Sequence, residues 1–226
     1  MKNIITLFLI ASSLSITTLL IGCDSENGVS PNANSAGQLI DVRNGYSQTY
    51  RTITIGSQTW MAENLNYETL NSWCYENLQR NCNKYGRLYT WAAASTACPS
   101  GWHLPRVAEW EILFKNVGGT EDTNLSGRYL FVGKKLKSKN DWQERPGEDL
   151  YGFTALSAGF YRTKGNEYPF FKIGYVAKFW TSNGNGGLDN APIHIVLSSN
   201  WDDADINGDT SKLSDGFSVR CVKDWQ

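Results

Sequence analysis

Histidine is scarce, with two in 226 residues. His103 sits inside the stretch GWHLP, and His194 inside the apolar run Ile193–Val196. Neither stands beside a nucleophile motif, so a catalytic triad has little support. No two of the five cysteines are close enough for a CxxC metal pair. A basic patch of the kind nucleic acid requires is missing too, and the formal net charge is −1. The one local basic run, Lys134, Lys135, Lys137 and Lys139, reads as a solvated face. Long helical patterns are few, and no repeat shows at solenoid or propeller spacing. Glycine is plentiful, with 21 residues, beside nine tryptophans and eleven tyrosines. That balance predicts many short strands and ordered loops.

The first segment reads as targeting rather than fold. Lys2 is the only charge before Cys23, and Ile4 to Ile21 is apolar or hydroxylated throughout. Residues 1–22 therefore read as a secretory signal. Leu20-Ile21-Gly22-Cys23 resembles a bacterial lipobox, in which a small residue before cysteine admits a lipoprotein signal peptidase. Cys23 is then the lipidated N-terminus, and several acyl chains on one residue give firm anchoring. Residues 23–38 are polar, with Val29 the one core-like side chain, and read as a disordered tether. The expected site is the bacterial cell envelope, lipid-anchored, on the periplasmic or outer surface. Residues 39–226 are enough for one domain with a full core.

The best-marked helix follows Cys98. Pro105 suits a first helical turn. Val107, Trp110, Phe114 and Val117 then form one apolar stripe with Leu113. Gly118-Gly119 ends it. Alanine-rich Trp91–Ala97 reads as a second, short helix. Asn44-Gly45 is a turn signal, and Tyr50–Ile55 with Gln58–Ala62 reads as a β-hairpin across Gly56-Ser57. Arg128–Leu136 fits strand and helix equally. Beyond Tyr151 the short apolar runs Phe153–Leu156, Gly159–Tyr161, Ile173–Trp180, Ile193–Leu197 and Phe217–Val222 read as strands, and Asn183–Gly187 as a flexible turn.

Gly101-Trp102-His103-Leu104-Pro105 followed by Ala108-Glu109-Trp110 resembles a signature of the formylglycine-generating-enzyme superfamily, which has a C-type-lectin-like fold. A closer resemblance is to the Fibrobacter succinogenes major paralogous domain. It rests on IGSQTWMAENL at 55–65, YGRLYTW at 85–91, GWHLP at 101–105, Tyr151-Gly152-Phe153, and GFSVRC at 216–221. The resemblance runs from about Asp41 to Asp224. It implies an α+β, C-type-lectin-like single domain of short strands with two helices. With Cys23 lipidated, four cysteines remain, and three connectivities are open. An exported chain oxidises them. The adopted pairing is Cys74 with Cys82, which is local, and Cys98 with Cys221, in the manner of lectin-like folds whose chain ends meet.

Two ligand signals stand out. Asp203-Ala204-Asp205-Ile206-Asn207-Gly208-Asp209 fits the first half of a calcium loop, so Asp203, Asp205, Asn207 and Asp209 are the expected ligands of a Ca²⁺ ion. The twelfth position is Ser214 rather than an acid, and no flanking helices are evident. The competing reading is a hydrophilic turn held by Asx hydrogen bonds. Trp73, Trp142 and Trp201 lie in polar loops, where exposed rings pack on the C–H faces of sugars, while Trp60, Trp102, Trp110 and Trp180 fall in core patterns. The expected function is a non-catalytic binding or adhesion module for carbohydrate or a surface protein. An envelope enzyme and a purely structural component are the other two readings. The superfamily's oxidative chemistry uses a pair of reactive cysteines, and Cys221 has Cys98 as its expected partner. Paired carboxylates stay open, because their separation is spatial.

Overall fold

A computed structural model describes residues 34–162, 169–183, 192–207 and 211–225. Cys23, with the signal and most of the tether, lies outside them, as do Gly184–Gly187. Pro31–Gln226 forms one compact unit. Among the described residues no helix is long and apolar enough to cross a membrane.

The chain opens with β1 (Ser35–Arg43) and β2 (Tyr46–Ile55), joined at Asn44-Gly45. Both turn residues have positive φ, 50° and 79°, as a primed hairpin turn requires. Gly56 then turns the chain into β3 (Gln58–Met61). The first sheet is completed by distant segments, β6 (Trp102–His103) and β14 (Val222–Lys223), in the order β1-β2-β3-β14-β6. A second five-stranded sheet runs β11-β12-β13-β8-β7. Its strands are β7 (Thr120–Glu121), β8 (Arg128–Leu130), β11 (Val176–Trp180), β12 (His194–Ser198) and β13 (Ala204–Asn207). Two small sheets pair β4 (Ser72–Trp73) with β5 (Leu88–Tyr89), and β9 (Phe160–Tyr161) with β10 (Phe170–Phe171).

Four α-helices are described rather than two: α1 (Gln79–Tyr85), α2 (Trp91–Ala97), α3 (Val107–Asn116) and α4 (Val132–Leu136). Polar QRNCNKY forms α1, which places Cys82 on a helix. Thr90 caps α2 by accepting the Ala93 N–H. In α3 the Glu109 carboxylate reaches back to the Arg106 N–H at 2.7 Å, and Asn183 accepts the Val107 N–H at 2.9 Å, so two orphan donors of the first turn are satisfied. Pro105 therefore precedes the cap instead of opening the first turn, and its carbonyl accepts from Ser182. Of the apolar stripe, Trp110, Leu113, Phe114 and Val117 are fully buried and Val107 is half-buried. Arg128–Leu136 proves to be both elements, β8 then α4, hinged at Phe131 with φ 59°. Phe153–Leu156 is not a strand: Thr154 has φ 52°, and only Ala155 makes a bridge, to Lys137.

One core cluster packs Trp60 against Trp110, tilted at 50° with centroids 4.7 Å apart, with Phe153 and Phe179 around them. A second gathers Tyr50, Tyr89, Trp180, Phe217 and Cys221. The segments that carry the family resemblance meet here by backbone. Leu65 donates to Val219 and Arg87 to Leu65, while Tyr89 and Phe217 exchange both hydrogen bonds. Asn64 bridges them, donating to the Tyr85 carbonyl and to Ser218 while accepting from Arg220. Both disulfides join as expected, Cys74 to Cys82 and Cys98 to Cys221.

The basic run is not simply a solvated face. Lys134 pairs with Glu148, and Lys135 donates to the Val117 and Gly118 carbonyls at the end of α3. Lys137 is wholly buried, and its ammonium donates to the carbonyls of Arg145, Ser198 and Trp201 at 2.8–3.0 Å. Burial draws its pKa down from 10.5 to about 8. Lys137→Met leaves three carbonyls without that donor, so we expect a loss of about 3 kcal/mol in urea unfolding at pH 7. The pH dependence has a fixed sign. Between about pH 8 and pH 10.5 the unfolded chain holds the proton that the folded one has lost. Native stability therefore gains on the variant's as pH rises through that window, and parallel pH profiles would refute the assignment.

Candidate functional site

Three segments far apart in sequence build one cleft. β6 follows the Cys98 bridge and pairs with β14 through His103 opposite Val222. That pairing brings the chain end back, and the Asp224 N–H closes on the Gly101 carbonyl at 2.9 Å. The first turn of α3 supplies Arg106 and Glu109. Between them lies a cavity of about 490 Å³, with Ser95 and Ser182 on its wall and Trp225 at its edge. Trp225 is 63% exposed, and it also borders a neighbouring hollow of about 270 Å³ against Ser57 and Thr59.

At the centre His103 spans two carboxylates. Its Nδ1 lies 2.6 Å from Asp224 Oδ1, and its Nε2 2.8 Å from Glu109 Oε1. Glu109 is buried, and its other oxygen takes the Arg106 N–H. The ring nitrogens diverge, so the carboxylates stand on opposite sides of the imidazole and do not converge on one ion. An imidazole engaged at both nitrogens is not free to serve as base to a third group. What the cleft offers is a fixed set of acceptors and donors beside a bare indole. Carboxylate oxygens accept from hydroxyls, a guanidinium and the Ser182 hydroxyl can donate, the Ser95 hydroxyl is given to the Ala92 carbonyl and can only accept, and the ring presents an apolar face.

The aromatic residues singled out by sequence go elsewhere. Trp142 is a core residue, 6% exposed, and its indole donates to the Ala155 carbonyl at 3.0 Å. A polar sequence neighbourhood did not mean exposure there, because the Asp141 side chain turns inward. The Asp141 carboxylate accepts from Ser157 and pairs with Lys84 at 2.7 Å. Trp73 is half-buried and lies parallel to Tyr161 at 4.1 Å, over the bare backbone of Gly216. Trp201 is half-buried, with the Arg128 guanidinium 5.7 Å above its ring.

Within the acidic stretch, Ala204–Asn207 is a strand and not a turn. β13 pairs with β12 and β8, Asp205 is tied to Arg128 at 2.8 Å, and Asp203 accepts the Phe131 N–H at 2.9 Å. Within the strand, alternate residues such as Asp205 and Asn207 stand about 6.6 Å apart along one face, and Asp203 precedes it. Asp209 lies outside the described residues. Among the described residues no group of three or more His, Cys, Asp or Glu is placed to hold a metal ion.

The sequence reading missed Trp225. The signal available was a large indole in the polar tail Lys223–Gln226, with no periodic partner to bury it. Glu109, named by the sequence only within the Ala108-Glu109-Trp110 run, is the buried support of His103.

A small α+β domain closed by its own chain end, with an open polar cleft at the closure, is the class these features define. The chain belongs to the Fibrobacter succinogenes major domain family, whose model matches residues 53–223. No curated protein matches it, and no solved structure does.

Proposed function

We propose that this is a lipid-anchored binding module of the bacterial cell envelope, non-catalytic, with carbohydrate as its ligand in the Trp225 cleft. The observation that carries the reading is the exposed Trp225 ring beside the polar set His103, Asp224, Glu109 and Arg106. A pyranose matches that combination, with one C–H face for the indole and hydroxyls for the rim. Anchoring rests on Cys23 behind its apolar run. A C-type-lectin-like placement is supported by the first and last strands sharing one sheet and by the bridge across 123 residues. The superfamily's paired reactive cysteines have no counterpart in a Cys221 already bonded to Cys98.

The mature chain from Asp24, screened on a glycan and polysaccharide panel with and without calcium, tests this. Trp225→Ala is expected to weaken the retained glycan about tenfold, or about 1.4 kcal/mol, with no change in melting temperature. A panel with no ligand, or binding indifferent to Trp225→Ala, refutes the cleft. A calcium-dependent ligand would return attention to Asp203, Asp205, Asn207 and Asp209.

A further inference from the structure

β1 is the longest edge strand among the described residues, and none of them covers its outer side. It has nine residues and pairs on one side only, with β2, in unbroken register from Ser35 opposite Thr54 to Arg43 opposite Tyr46. Among the described residues no strand lies on its other side. Edge strands are ordinarily protected by shortness, lysine, proline, a bulge or an inward-pointing charge, and of these β1 has only the last, Asp41 paired with Arg43. β1 has no lysine, no proline and no bulge. The other edges are managed. β6 and β7 have two residues each. β11 is covered by bridges from Gly159 and Ser218.

One face of β1 is fixed to its own domain. Asp41 is buried against Arg43 at 2.7 Å, and Arg43 continues to the Ala97 carbonyl and over the Tyr67 ring. The other face carries Ile40 and Val42, 67% and 68% exposed. The family match begins at residue 53, so β1 and most of β2 precede the part that family shares.

We infer that β1 is a homodimer edge, pairing antiparallel with β1 of a second copy about a two-fold axis at Ile40. An open edge accepts only an extended backbone, and apolar residues at alternate positions ask for the same pattern opposite. β1 itself meets both conditions. Centred on Ile40, the pairing sets Ile40 against its own counterpart and Val42 against Gln38. Asp41 faces Leu39 and Arg43 faces Gly37, so no like charges meet. Residues 37 to 43 pair, and the two five-stranded sheets become one of ten. The interface is isologous and closes on itself. On the anchored protein Ser35 comes twelve residues after Cys23, which keeps each edge within about 40 Å of the membrane and raises the encounter rate. The pairing itself does not depend on the anchor.

Sedimentation equilibrium of the chain from Asp24, from about 1 μM to about 1 mM, tests this. A monomer–dimer equilibrium is expected within that range. The double variant Ile40→Lys, Val42→Lys should be monomeric throughout with an unchanged circular dichroism spectrum, since both side chains are exposed. Separately, Ile40→Cys should form an intermolecular disulfide under mild oxidation while Thr49→Cys, exposed on β2, does not. Paired residues at the axis lie about 4.5–5.5 Å apart, within disulfide reach. A native chain still monomeric at the highest concentration overturns the inference. So does a dimer that survives the double variant, or equal crosslinking at both cysteines.

Discussion

Arg220→Met lowers the unfolding free energy by at least about 4 kcal/mol, the largest single-residue effect expected outside the disulfides. Arg220 has no exposed surface. Its guanidinium feeds four acceptors: Asn64 Oδ1 at 2.7 Å, and the carbonyls of Met61, Phe153 and Thr154. It also lies 4.6 Å over the Phe153 ring. Exchanging a buried charge for a methionine is tolerable when both partners of a pair are removed together. Here the acceptors remain after the donor is gone, three of them backbone, and each deserted acceptor costs about 1–3 kcal/mol. Arg220→Lys recovers part of the loss, because one ammonium has three donors and no planar fork to reach four oxygens. Urea midpoints for the native chain and both variants provide the measurement. A methionine variant within 1 kcal/mol of native would mean the network is dispensable.

This network explains what the family-like motifs do. Asn64, Arg87, Ser218 and Arg220 lie in the quoted segments, and each is spent inside the fold. Arg87 is buried beneath the local disulfide, donating to Ser72 and touching both sulfurs at 3.8 Å. Residues that look chemical in sequence, arginine, asparagine and serine in an ordered motif, thus hold the loops in register. The chemistry left for a ligand lies at the closure, in residues no motif advertised apart from His103 and Glu109.

How much was legible follows from how local each feature is. The hairpin around Gly56, helix α2 and helix α3 are set by period and punctuation within a dozen residues, and they stand where the sequence placed them. α1 escaped because its seven residues carry no apolar stripe. Its buried members are Cys82 and Tyr85, and a disulfide holds it down. Lys137 looked like one of four solvated lysines, but the main-chain carbonyls that take its ammonium come from the Arg145 loop and the end of β12. Trp142 was misjudged for a like reason, since its acceptor is the Ala155 carbonyl. The Trp225 cleft is the extreme case. It exists only where residue 103 meets residue 222, and no window of sequence contains both.

Loss of the Cys98–Cys221 bridge is the other large effect, and its comparison with the short bridge gives the test its force. The long bridge closes 123 residues and the short one eight. In the chain-entropy model these correspond to about 5 and about 2.5 kcal/mol, through restriction of the unfolded ensemble. For a domain of this size the larger figure is a fall of roughly 10–20 °C in melting temperature. The long bridge does more than restrict the unfolded chain. Cys98 lies just before the strand that carries His103, and Cys221 just before the strand that leads to Asp224 and Trp225. Cutting it frees both walls of the cleft at once. Cys98→Ala, Cys221→Ala should therefore lose stability and ligand together, while Cys74→Ala, Cys82→Ala loses about half as much stability and keeps the ligand. Calorimetry and the glycan titration on the two double variants measure both quantities. Equal melting shifts would contradict the entropic account. A long-bridge variant that is destabilised yet binds normally at low temperature would show that the pairing of β6 with β14 holds the cleft without the sulfurs.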